Sequence, residues 1–324
     1  MSTKPGKAIY VYKPPAAPTF ADLRAGGERR KAFLRYHITD NLNNLVDLSV
    51  HFGLKLLPAG LCSAAGAKIG LFAMPRFHKL AVRRARENLK VLMPSASEAE
   101  REAVLRRNWE NQGRLMTEFS IIRRVALTPG RVKDLDVDWA VDLAAGGPLV
   151  LVGMHLGNWE MMAAPLSQAG LRLHANYVPP GGRARAWIAQ KVRLDNGVVL
   201  MPPGRDGVKP ALKVLKEGGI VSMFCDEGFR GWIRGPFFGR PPHLDGNLAL
   251  AVKLARRSGA RIVPWYMLRD EGVNFTFNRL PVITLPPEES PGARLMDDVL
   301  LLNGVIEPVI RAHLDQWYFL DSAL

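Results

Sequence analysis

From residue 148 onward the chain keeps switching between two hydrophobic periods, and no other feature restricts its fold as strongly. Short apolar runs, PLVLVGM (148–154), LRLHANYV (171–178), VVLMP (198–202), IVSMFC (220–225) and RIVPWYML (261–268), read as strands. Helical stretches at 158–169, 183–194, 207–217 and 246–257 separate them, VNFTFNRLPVI (273–283) adds a strand, and 292–314 closes the chain as a helix. A strand that is apolar at every position is covered on both sides, as in a parallel sheet between two helical layers. The pattern therefore predicts an α/β fold with a mostly parallel central sheet and helices on both faces. Gly218-Gly219 and Ser258-Gly259 stand where helices should end.

Upstream the period is helical throughout residues 31–124. LNNLVDLSVHFGLKLL (42–57) carries its leucines largely on one side. LCSAAGAKIGLFAM (61–74) follows Pro58 and should end before Pro75, and RFHKLAVRRARENLKVLM (76–93) is amphipathic and strongly basic. Ser95 or Ser97 is the expected cap of a helix spanning about 98–122. Residues 1–30, rich in Pro, Gly and charge, read as a flexible leader. The expected division is thus leader (1–30), helical membrane-associating region (31–124) and α/β core (125–324), the last two forming one compact domain.

The 44 Lys and Arg outnumber 30 Asp and Glu, a formal charge of +14. Such an excess seeks an anionic partner. Nucleic acid is the weakest choice, since no basic stretch is interleaved with stacking aromatics and no reader motif occurs. Cys62 and Cys225 lack metal-ligand spacing, and no dinucleotide or phosphate-loop motif is present, so no metal or cofactor is expected. No secretory signal opens the chain, and no apolar run is long enough to span a bilayer. The basic helix, with apolar helices on either side, fits an anionic membrane surface.

Candidate chemistry centres on GMHLGNWEMM (153–162). His155 falls at the carboxyl end of a predicted parallel strand, where open α/β sheets bind ligands. Glu160 lies five residues on; from the first turn of a following helix it could reach one ring nitrogen, fix the tautomer and leave the other nitrogen as a base. The helix start at 157–160 would then steady an oxyanion. No nucleophilic Ser or Cys motif accompanies the pair, so the hydroxyl to be activated is the substrate's own. Asp226, Glu227 and Arg230 fall on the same rim, after the 220–225 strand, and Arg240 sits between Gly239 and Pro241 as a candidate phosphate clamp.

These blocks resemble the late lauroyl/myristoyl acyltransferases of lipid A biosynthesis, within the lysophospholipid/glycerolipid acyltransferase superfamily. MHLGNWE is similar to that family's His-x4-Asp/Glu block. Residues 56–119, with Arg86-Glu87-Asn88-Leu89, CDEGFRGWIRGPFFGRPP (225–242), ARRSGARIVPWYMLR (255–269) and DQWYF (315–319) are similar to further family segments, in order. The resemblance implies transfer of a fatty acyl group from acyl carrier protein or acyl-CoA to a lipid hydroxyl at the cytoplasmic face of the inner membrane, by a peripheral or monotopic protein. It makes His155 and Glu160 catalytic, and Asn158, Asp226, Glu227, Arg230 and Arg240 candidate substrate contacts. The family's usual Tyr-Arg-Pro reads Tyr177-Val178-Pro179 here, so Arg183 or Arg185 is the candidate replacement for its charge. That departure keeps lysophospholipid, aminolipid and other glycolipid acceptors open beside a lipid A-type acceptor. A His/Glu hydrolase and a silent membrane-surface binder are the remaining alternatives.

Overall fold

The computed structural model describes residues 10–226, the backbone of 228–229, and 232–324. The chain opens with α1 (Phe20–Ala25), α2 (Gly27–Leu34), α3 (Asp40–Leu56), α4 (Ala59–Phe77), α5 (Lys79–Leu92), α6 (Glu98–Glu118) and α7 (Ile122–Ala126). Then follow β1 (Val132–Lys133), α8 (Val137–Ala145), β2 (Leu149–Gly153), α9 (Ala163–Gln168), β3 (Leu173–Asn176), α10 (Arg183–Asp195), β4 (Val198–Met201) and α11 (Val208–Lys216). The last part holds β5 (Ile220–Phe224), the hairpin β6 (Gly228–Phe229) and β7 (Trp232–Ile233), α12 (Gly246–Ser258), β8 (Arg261–Arg269), β9 (Phe275–Arg279) and α13 (Leu295–Ala312).

Seven strands form one sheet in the order β1-β9-β8-β2-β5-β3-β4, parallel except for the β8–β9 pair. β2 is central and buried at every position. Its Val150 and Val152 face a core shared with α5, α6, α11, α12 and α13, while Leu149 and Leu151 face one shared with α7, α9 and α10. Two helical layers thus cover the sheet, as the apolar strands predicted. At about 1.5–3 kcal/mol per fully buried Val or Leu, these faces are the main stabilising term.

Several boundaries differ from the sequence expectation. α4 runs through Pro75 to Phe77. In the last turn a proline leaves only one carbonyl without its partner, which the helix tolerates. The 98–122 helix divides at Phe119–Ile121 into α6 and α7. β1 and α8 were not anticipated. The leader is helical from Phe20, and Tyr10 is anchored before that by its N–H donating to the Leu200 carbonyl at 3.1 Å. Ser97 caps α6 in a reciprocal box with Glu100, a contribution of about 1 kcal/mol.

α4 and α6 approach backbone to backbone because Gly66, Gly70 and Gly113 face one another. A Cβ on Gly70 would lie 2.1 Å from the Trp109 carbonyl oxygen, and one on Gly113 2.1 Å from that of Gly66. Gly60, on the same helix, has open space around it. Gly70→Ala should therefore destabilise by about 1–3 kcal/mol. Gly60→Ala should be neutral or stabilising, by up to about 1 kcal/mol. Equilibrium denaturation of both variants checks the contrast.

Candidate active site

Beyond Gly153 the chain leaves the sheet through His155, held by a carboxylate from the neighbouring strand. Asp226, just past the end of β5, is fully buried. Its Oδ1 lies 2.8 Å from His155 Nδ1, while Oδ2 accepts from the His155 backbone N–H at 2.8 Å and the Trp317 indole N–H at 3.0 Å. The His155 ring is set between Phe224, 4.2 Å away centroid to centroid, and the edges of Trp159 and Phe319. With Nδ1–H donating to Asp226, the tautomer this network favours leaves Nε2 as an acceptor.

The following turn is fixed from three sides. Gly157 has φ +56°, and a Cβ there would lie 2.5 Å from the Met267 carbonyl, so the position requires glycine on both counts. Its N–H donates to the Gln316 carbonyl, and the N–H of Tyr318 to the carbonyl of His155. The buried Asn158 amide donates to Glu118 Oε2 at 2.9 Å. Glu118 in turn takes a two-pronged bond from Arg269 at 2.7 and 2.8 Å, both side chains sealed from solvent. Asn158 is therefore a support beneath the turn, not a cavity-lining contact.

Glu160 does not meet His155. Trp159–Met162 is a 3-10 turn, and the Glu160 carboxylate is engaged by Arg193, 2.6 Å away, from α10. Burial works against the Arg193 cation, yet the charge and hydrogen bonds of Glu160 outweigh it and raise the guanidinium above its usual value. The carboxylate expected beside the His155 ring from five residues downstream is instead that of Asp226. The expected helix start is likewise a 3-10 turn leading into the six-residue α9, too short for a strong terminal dipole.

A cavity of about 1120 Å³ opens beside His155 and straddles the carboxyl rim of the sheet. One limb, lined by Leu54, Phe119, Leu173, Ile188 and Leu200, is apolar. His51 also lines it and, pulled down to about 4 by burial with Lys55 and Lys191 nearby, stays neutral. The Tyr318 phenol at the wall is raised by burial and stays protonated. Arg185 lines the cavity but is paired with Asp47 at 2.9 Å. Arg183 is turned away to the Tyr36 carbonyl and Asn41, tying α10 to α3, and Arg240 braces the Ile233 carbonyl at 2.6 Å; neither is among the lining residues. Glu227 and Arg230 lie outside the described residues.

Sequence reasoning gave no role to Glu118, Arg193, Arg269, Gln316 or Trp317. The DQWYF block was visible as a unit, and its Gln316, Trp317 and Tyr318 all hold the His155 turn or its carboxylate.

A charge-aimed histidine at the end of a parallel strand, opening on an apolar cavity, has the makings of a group-transfer site for a lipid chain. The family described as bacterial lipid A biosynthesis acyltransferase matches residues 34–324, and the chain belongs to that family; it is an acyltransferase. It is similar to the lipid A biosynthesis lauroyltransferase of Escherichia coli (strain K12), 25% identical over 283 residues that cover 82% of this chain and 85% of that protein. The resemblance read from the motifs is borne out.

Removing the charge under the turn should be costly. Glu118→Gln strands the Arg269 cation in the interior and should destabilise by about 3–5 kcal/mol, measured by equilibrium unfolding. A loss under about 1 kcal/mol would show that the pair is not the support described.

Proposed function

We propose that the protein moves a fatty acyl group from an acyl thioester, of acyl carrier protein or CoA, to a hydroxyl of a lipid A-type glycolipid at the cytoplasmic surface of the inner membrane. The observation that carries this reading is the 2.8 Å His155–Asp226 pair in the wall of a cavity with an apolar limb. Nε2 of His155 takes the proton of the acceptor hydroxyl as its oxygen attacks the thioester carbonyl carbon. The imidazolium so formed is stabilised by the Asp226 carboxylate. Collapse of the tetrahedral adduct breaks the C–S bond, and the proton passes from His155 to the departing sulfur. The apolar limb holds the acyl chain.

The outer surface supports docking on lipid. Leu42, Leu45, Val46 and Leu56 of α3 are each at least 60% exposed, an unusual density of bare aliphatic side chains. Val50, Met116 and Val178 are both exposed and part of the cavity lining, so this apolar surface is continuous with the site. The exposed cations of α5, among them Lys79, Arg83 and Lys90, suit anionic headgroups. No described helix is long and apolar enough to cross a membrane; the docking proposed is peripheral or monotopic.

His155→Ala should lower turnover by roughly 10²–10⁴-fold. Asp226→Asn should match it, because the amide favours the wrong tautomer, while Glu160→Gln should keep most of kcat in protein that remains folded. Mass spectrometry of reactions with carrier-protein and CoA thioesters and lipid A-type, lysophospholipid and aminolipid acceptors checks this. Near-normal turnover of His155→Ala would remove the base assignment, and release of free fatty acid alone would show a hydrolase. Separately, Leu42→Ser, Leu45→Ser and Val46→Ser combined should weaken vesicle binding by at least about tenfold. Sedimentation with anionic and zwitterionic vesicles reads it.

A further inference from the structure

Acyl transfer needs a donor for the carbonyl oxygen as well as a base for the hydroxyl. As the hydroxyl oxygen attacks, an electron pair moves onto the carbonyl oxygen, and one fixed donor aimed there is worth roughly 10²–10³-fold in rate. The turn that holds His155 offers little of this. Its N–H groups at His155, Leu156 and Gly157 are spent on Asp226, Met154 and Gln316. The expected helix start is a 3-10 turn, and Arg193 is committed to Glu160.

Tyr318 stands beside the base with its donor unspent. Its ring centroid lies 6.3 Å from that of His155 and 5.4 Å from that of Trp159, and it lines the same cavity. Its N–H donates to the His155 carbonyl at 2.9 Å and its ring meets Phe319 edge-on at 5.1 Å, so both backbone and ring are held. Among the described residues no group bonds the phenol. Burial, with the Asp321 charge adding to it, raises the phenol above its usual value, so at neutral pH it is a donor without charge. The spacing also fits. A hydroxyl held about 3 Å from Nε2, with the carbonyl carbon about 3–3.5 Å beyond it, puts the carbonyl about as far from the imidazole as the Tyr318 ring is.

We propose that Tyr318 is the oxyanion donor of the reaction: its phenol O–H donates to the thioester carbonyl oxygen, and the bond tightens as that oxygen becomes the alkoxide of the tetrahedral adduct. The proposal rests on the acyl-transfer reading and deepens it. The phenol keeps its proton throughout, while His155 takes the proton of the hydroxyl and returns it to sulfur. When the C–S bond breaks, the electron pair on oxygen re-forms the carbonyl and the phenol's bond relaxes.

Tyr318→Phe keeps the ring and removes only the oxygen; Tyr266→Phe, a half-buried phenol outside the cavity lining, is the control. The full chain in detergent micelles is assayed with carrier-protein and CoA thioesters and a lipid A-type acceptor. Tyr318→Phe should lower kcat roughly 10²-fold while KM changes less than about tenfold, and Tyr266→Phe should leave both unchanged. A second readout needs no turnover. A ketone analogue of each thioester, with an isotope-labelled carbonyl, is bound and its carbonyl stretch read by infrared difference spectroscopy. The band should move to lower frequency in the wild type and return in Tyr318→Phe, whose thermal midpoint should not change. The matching thioether, which lacks the carbonyl oxygen, should bind both proteins equally.

Wild-type transfer with a Tyr318→Phe kcat within about twofold, a loss confined to KM, or a carbonyl band that is the same in both proteins overturns the oxyanion role and leaves acyl transfer standing. A band shift that needs the phenol, in protein that transfers to no acceptor, keeps the contact with the carbonyl and overturns the acyl-transfer reading. No transfer together with identical bands overturns both.

Discussion

A carboxylate without exposed surface has to find its partners inside the protein, since leaving a buried charge unpaired costs several kcal/mol. Asp226 finds three donors: the His155 backbone, the His155 ring and the Trp317 indole. Two belong to His155 and one to Trp317, so one carboxylate joins the ends of β2 and β5 to the C-terminal segment. The same contacts that satisfy its charge also fix the ring's tautomer and rotation. Stability and chemistry therefore draw on one set of hydrogen bonds, and the site cannot loosen without the rim of the sheet loosening with it.

The segment that carries Trp317 is itself tied to the N-terminal helices. Asn108 of α6 donates to the carbonyls of Leu314 and Trp317, and Asn88 of α5 to those of Leu320 and Ser322. Glu118, at the end of α6, completes the arrangement from below through Asn158 and Arg269. These helices thus do more than cover one face of the sheet. Buried asparagines reaching more than 200 residues along the chain hold the histidine's surroundings in register.

Much of this architecture was legible in the sequence, and the misses have a common origin. Strands, their burial on two faces and the position of His155 follow from hydrophobic period, a local property. The partner of His155 does not. Glu160 looked right because it is near in sequence, but the 3-10 turn that begins after Gly157 and Asn158 carries its carboxylate to Arg193 on α10. Asp226 is 71 residues away and adjacent only because β5 lies beside β2, an order that no spacing rule supplies. Arg240 was picked for its place between Gly239 and Pro241 and Arg183 as a stand-in for the family's missing arginine, yet Arg240 bonds the Ile233 carbonyl and Arg183 the Tyr36 carbonyl and Asn41.

His155 lines a cavity whose wall carries both apolar and charged side chains, and on the proposed reaction that mixture has an energetic logic. An acyl chain gains about 0.8 kcal/mol for each methylene kept out of water, so roughly ten methylenes crossing an aqueous gap would cost about 8 kcal/mol. Val50, Met116 and Val178 belong to both the outer apolar surface and the cavity wall, so a chain can slide inward without crossing such a gap. A polar headgroup has the opposite requirement and must keep partners for its charges throughout. A cavity with both kinds of side chain in its wall, and His155 among them, can meet both needs at once.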